Sequence, residues 1–112
     1  MAHVTEAELE AAEIRGRILL GSEPRAIGVR YDSARKRVVL ELTNGCAYAF
    51  PAAMAQELST ADADALSDVE VDGGGFNVHW PRLDVDLHVP SLIAGVFGTE
   101  AWMRRGAAAT AA

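Results

Sequence analysis

Apolar positions change period twice along the chain. Near the start, Ala7, Ala11, Ile14 and Ile18 recur at helical spacing and form one narrow stripe. Thr5 followed by Glu8 three positions on predicts an N-cap with a capping box. Acidic Glu6, Glu8 and Glu10 precede basic Arg15 and Arg17, the order the helix dipole favours. Gly21 and Pro24 end this amphipathic helix. Its Ala-rich stripe predicts weak docking, in cis or on another chain, which makes Ile14 and Ile18 candidate partner-binding residues.

From Arg25 the period becomes two. Ile27, Val29 and Tyr31 alternate with Gly28 and Arg30, and Val38, Leu40 and Leu42 alternate with Val39 and Glu41. The polar stretch 32–36 between them suits a hairpin loop. Asn44-Gly45 marks a second tight turn, and Cys46 to Phe50 returns as a third strand with Tyr48 and Phe50 on one face. These strands form a three-stranded meander. Pro51 then opens a helix of two turns through Leu58, and Ser59 or Thr60 caps a further turn through Leu66. Val69 and Val71 begin another strand. Phe76, Val78 and Trp80 alternate after three glycines, and Leu83, Val85, Leu87 and Val89 alternate against Asp84, Asp86 and His88. Pro90 and Ser91 open a helix through Phe97, and Thr99 caps a last turn through Met103 ahead of an Ala-rich tail that frays. The expected class is α+β: a small antiparallel sheet, built as a three-stranded meander plus a C-terminal hairpin, with short helices and the N-terminal amphipathic helix. The expected organisation is a helix over 1–22, an α+β domain over 23–98, and a short helix with disordered tail over 99–112.

Composition narrows the function. At 112 residues there is room for one domain. Half the residues are hydrophobic, but 21 of those are Ala, so the core is modest. A net charge of −6 argues against a bulk nucleic-acid binder, whose affinity rests on Lys and Arg displacing counterions. The single Cys46 excludes an intrachain disulfide, and with no local base it reads as a small buried hydrophobe rather than a nucleophile. No apolar run reaches the ~20 residues of a membrane span, and the N-terminus has no signal-peptide pattern. These features predict a soluble, cytoplasmic protein with no membrane association and no cofactor.

The cluster most like a site is His79, Asp84, Asp86 and His88. Alternation places Asp84, Asp86 and His88 on one strand face, and His79 joins them if its strand pairs with theirs. Two carboxylates and imidazoles so arranged suit a divalent metal or acid–base chemistry. The plainer reading is the solvated face of a half-exposed strand, so no catalytic residue and no metal ligand is assigned. Trp80 alternates with Phe76 and Val78, which predicts a core indole bonded to a carbonyl; stacking on a ligand is the alternative. Gly73-Gly74-Gly75 lacks the Lys-Ser or Lys-Thr of a phosphate loop and reads as a bulge or tight hairpin. Residues 25–37 hold five bases against Asp32, whereas 57–86 hold eight acids against Arg82. This split makes Arg35 and Arg37 candidate partner-binding residues, steering a protein partner or self-association.

The stretch from Gly74-Gly75 through His79-Trp80-Pro81, Leu83-Asp84-Val85-Asp86 and Pro90 to Gly95 resembles domain of unknown function 2442. That family shows a small-residue pair, an aromatic, His-Trp-Pro, Leu-Asp-x-Asp and a short helix ending near Gly. Leu42-Thr43-Asn44-Gly45 and Ala49-Phe50-Pro51 resemble its upstream strand, turn and Pro-led helix, and the likeness covers about 24–98. Val96 to Met103 resembles the C-terminal extension of a bacterial subgroup. The resemblance implies a small prokaryotic α+β protein without established enzymatic activity. Some relatives carry an added helix-turn-helix, for which the segment after Gly98 is too short, and some are encoded beside a second small protein in a toxin–antitoxin-like arrangement. His79, Trp80, Asp84 and Asp86 match the family pattern but bring no assigned role with them. The leading expectation is a non-enzymatic protein-interaction or regulatory module. The alternative is a metal-dependent or acid–base enzyme using His79, Asp84, Asp86 and His88.

Overall fold

The computed structural model describes residues 5–8 and 24–111. At the first of these, Thr5 Oγ1 accepts from Glu8 N at 3.1 Å and Glu8 Oε2 accepts from Thr5 N at 3.3 Å, the reciprocal capping box. The rest of the N-terminal helix expectation, including Ile14 and Ile18, lies outside the described residues.

The meander forms as β1 (Ala26–Asp32), β2 (Arg37–Leu42) and β3 (Ala47–Pro51), antiparallel in the order β1-β2-β3. Val38, Leu40 and Leu42 point inward with Phe50, all 5% exposed or less. Alternation fails at Ile27, and Val39, on the outer face of β2, is also buried at 6% exposed. A bulge between Ala26 and Gly28 gives β1 an extra residue, so Ala26 takes the core position opposite Leu42 and Ile27 is 70% exposed. Cys46 also departs from expectation. It sits in the Asn44-Gly45 turn, before β3, and is exposed rather than buried. Gly45 takes φ of 86°, and the Asn44 carboxamide accepts from Cys46 N at 3.0 Å, so the turn is held by its own residues.

After Pro51 the expected two-turn helix is instead two 3-10 turns, Ala52–Met54 and Gln56–Leu58, separated by extended Ala55. Ala52, Ala55 and Leu58 are the buried residues here, and their spacing of three matches a 3-10 repeat rather than an α-helical one. Helix α1 (Ala63–Ser67) is capped by Asp62, whose Oδ1 accepts from Ala65 N at 2.8 Å. Neither Ser59 nor Thr60 is the cap; Ser59 Oγ donates back to Gln56 O.

The second half makes a second antiparallel sheet in the order β4-β5-β6: β4 (Glu70–Asp72), β5 (Asn77–Trp80) and β6 (Val85–His88). The expected C-terminal hairpin therefore carries a third strand. Gly73–Gly75 turn the chain between β4 and β5, and a Cβ on Gly75 would stand 2.6 Å from the Ala26 carbonyl, so the glycines serve the close approach of β1. β1 lies beside β4, and both sheets share one core in which Val78, Trp80 and Val89 are fully buried. Helix α2 (Val89–Ile93) is shorter than expected. Val96 N bonds to Ser91 O and Gly95 N to Leu92 O, with Gly95 at φ of 88°, a Schellman closure. Helix α3 (Glu100–Ala111) is longer than expected: Thr99 Oγ1 accepts from Trp102 N, and the Ala-rich tail continues as helix. Trp102 Nε1 donates to Met54 O at 2.8 Å and fastens its first turn to the body. Among the described residues no helix is long and apolar enough to cross a membrane.

Candidate functional site

The β5–β6 ladder sets the geometry of the polar face. Trp80 pairs with Val85, so Pro81–Asp84 form the connecting loop, with Asp84 N bonded to Pro81 O and Asp84 at φ of 51°. Asp tolerates that left-handed conformation better than most residues. Asp84 is consequently a turn residue, not a member of the strand face that alternation assigned to it. One row of the sheet instead aligns Glu70, His79 and Asp86, and the next aligns Asp72, Asn77 and His88.

His79 and Asp86 meet. Their Nδ1 and Oδ1 atoms are 2.9 Å apart, with the imidazole 24% and the carboxylate 61% exposed. At that exposure the contact contributes on the order of 0–1 kcal/mol when the imidazole is charged. His88 does not join the pair. Its Nδ1 shares a 2.8 Å hydrogen bond with Ser91 Oγ across the first turn of α2, for which His88 is the N-cap. Among the described residues no three His, Cys, Asp or Glu side chains converge as metal ligands. The four-residue candidate thus resolves into a pair, a helix cap and a turn residue.

Beside the polar face runs an open groove of about 360 Å³. Its lining includes Asp86, His88, Ser91, Gln56, Glu57 and Phe97. Gln56 Oε1 accepts from Thr99 N at 2.9 Å, closing the groove against α3. Sequence reasoning did not find Gln56, Glu57 or Ser91 as site neighbours. Ser91 carries a local signal, three residues after His88 at a helix start; Gln56 and Glu57 arrive from a distant 3-10 turn and carry none.

Trp80 is fully buried and its Nε1 donates to Leu66 O at 3.1 Å. Both ring faces are packed in the core, so the ligand-stacking alternative for Trp80 is corrected to a structural role. The basic hairpin is different. Asp32 Oδ1 accepts from Ala34 N and Arg35 N and fixes the β1–β2 loop, leaving Arg30, Arg35 and Lys36 exposed. Arg37 is half-buried and its Nε makes no hydrogen bond. Arg25 lies 5.4 Å from the Phe76 ring centroid, a cation–π contact. The ion pairs among the described residues, His79–Asp86 and Arg82–Asp68, involve none of these five bases.

Comparison with known proteins agrees with this architecture. The family model described as "Protein of unknown function (DUF2442)" matches residues 26–98. The crystal structure of a protein of unknown function from Rhodospirillum rubrum is 52% identical, with a TM-score of 0.70 over 73% of this chain and 99% of that one. The solution structure of an uncharacterised protein from Chromobacterium violaceum is 27% identical, with a TM-score of 0.68 over 94% of this chain and 96% of that one. No curated protein matches the chain. The sequence match spans both sheets and the polar face between Glu70 and His88, and the chain belongs to the DUF2442 family of proteins of unknown function.

Proposed function

We propose that this chain is a non-enzymatic protein-interaction module whose β1–β2 hairpin receives an acidic surface of a partner protein. The observation that carries the reading is the unneutralised basic hairpin on an otherwise acidic chain. Arg30, Arg35 and Lys36 are exposed, and Arg37 stands beside them. Of the two hairpin carboxylates, Asp32 accepts from turn amides, while Glu41, opposite Gly28, is in neither of the two ion pairs among the described residues. Such a patch accelerates encounter with an oppositely charged partner and fixes orientation more than it adds raw affinity. Short hydrogen-bonded loops hold it in place before binding, which lowers the ordering cost. The partner expected from the family resemblance is a small protein encoded alongside this one, in a regulatory or toxin–antitoxin-like pair in the cytoplasm.

The test is capture from lysate of the source cells with tagged wild-type chain and with Arg30→Glu/Arg35→Glu, followed by binding of the purified captured protein. A stoichiometric partner retained by wild type and lost by the variant supports the module. Equal retention by both, or no retained protein, contradicts it.

A second reading keeps acid–base chemistry at the groove, favoured by Asp86 and His88 lining it together. It predicts turnover that Asp86→Asn abolishes; a search of hydrolysable esters, amides and phosphoesters without such turnover removes it.

A further inference from the structure

We infer that β3 pairs with β3 of a second copy of this chain, antiparallel about a twofold axis beside Tyr48, joining two first sheets into one of six strands. This deepens the interaction reading and rests on it, but it uses a different surface. The ladder parity carries it. Leu42 N donates to Cys46 O, and Ala52 N donates to Lys36 O. In an antiparallel ladder, Tyr48 and Phe50 then exchange their bonds with β2, and the N–H and C=O groups of Ala47 and Ala49 point away from it. Among the described residues β3 is an outer strand, and Ala47, Ala49 and Pro51 are exposed.

The edge is self-complementary. With Tyr48 facing Tyr48 of the copy, Ala47 exchanges hydrogen bonds with the copy's Ala49, and Ala49 with its Ala47. All four outward N–H groups are then used. Pro51 meets the copy's Gly45, where φ of 86° turns the chain away, so pairing stops alike at both ends. Moving the register two residues sets Pro51 against Ala47 and loses a donor on each side. Residues 47–51 carry no charge, although strands that stay single are commonly guarded by Lys or an inward charge. A chain of net charge −6 therefore meets its copy at an edge where no like charges oppose. Half-buried Tyr48 would lie at a non-hydrogen-bonded position, where facing Cα atoms are about 4.5 Å apart and aromatic side chains pack across strands.

Sedimentation equilibrium of the full chain over rising concentration tests this, with an expected mass approaching twice 11.9 kDa. Ala49→Pro removes an outward N–H that the β2 ladder does not use, and is expected to weaken the dimer at least tenfold with circular dichroism unchanged. Tyr48→Cys in a Cys46→Ser background is expected to cross-link under mild oxidation, because facing residues lie within disulfide reach. Native Cys46 is not expected to do so, since the two copies would stand about 13 Å apart along the strand. Should Ala49→Pro fail to fold, cross-linking decides. A monomer at every concentration, or a dimer without the Tyr48→Cys cross-link, overturns the inference. Arg30→Glu/Arg35→Glu is expected to leave the dimer intact, so failure here is distinct from failure of the hairpin reading.

Discussion

The indole N–H of Trp80 donates to the carbonyl of Leu66 at 3.1 Å, and this bond ties the middle strand of the second sheet to α1. The two residues are 14 apart in sequence, and both are buried. The residue that looks most like a ligand platform is therefore a fastening between two elements of the core.

Replacing Trp80 by Phe tests that role. The Leu66 carbonyl loses its donor inside the core, which costs about 1–3 kcal/mol, and the smaller ring adds a cavity cost of its own. Urea unfolding is expected to show the lowered midpoint. An unchanged midpoint would mean that the bond contributes nothing.

The glycine turn predicts a contrast. Gly75→Ala introduces a Cβ 2.6 Å from the Ala26 carbonyl at φ of 95°, whereas Gly74→Ala meets open space at φ of 68°. Strained backbone of this kind costs on the order of 1–3 kcal/mol, and Gly75→Ala is expected to lie at or above the upper end. Thermal denaturation of both variants checks the order; equal losses would contradict the close approach of β1.

Asp86→Ala is expected to change stability by less than about 1 kcal/mol, because its pairing with His79 is solvent-exposed. Melting curves with added Zn²⁺, Mn²⁺ or Mg²⁺ are expected to superpose on the metal-free curve. A metal-dependent rise would show binding to the native state, and its loss in Asp86→Ala would restore the metal reading.

Much of the scaffold is legible in the residues. Val38, Leu40 and Leu42 mark the core face of β2, although Val39 between them is buried too, and Asn44-Gly45 states its own turn. Ile27 misleads because a bulge is decided by what packs against the strand, here the turn around Gly75 approaching Ala26. Cys46 misleads for a related reason: it closes the turn at Asn44 before the strand begins. At the polar face, the pairing of His79 with Asp86 depends on loop length. A Trp80–Val85 register leaves four loop residues, which brings Asp86 opposite His79 and withdraws Asp84. Alternation along one strand cannot supply that cross-strand register. The groove residues Gln56 and Glu57 come together with His88 only through tertiary packing.

A chain that works through a bound protein leaves its own cells with that protein attached. Native mass spectrometry of the gently captured chain reads such a partner as added mass. The expected complex exceeds copies of the 11.9 kDa chain by the mass of a distinct protein, and Arg30→Glu/Arg35→Glu dissociates it. A chain recovered without any protein partner, carrying one equivalent of metal that Asp86→Ala removes, would contradict it.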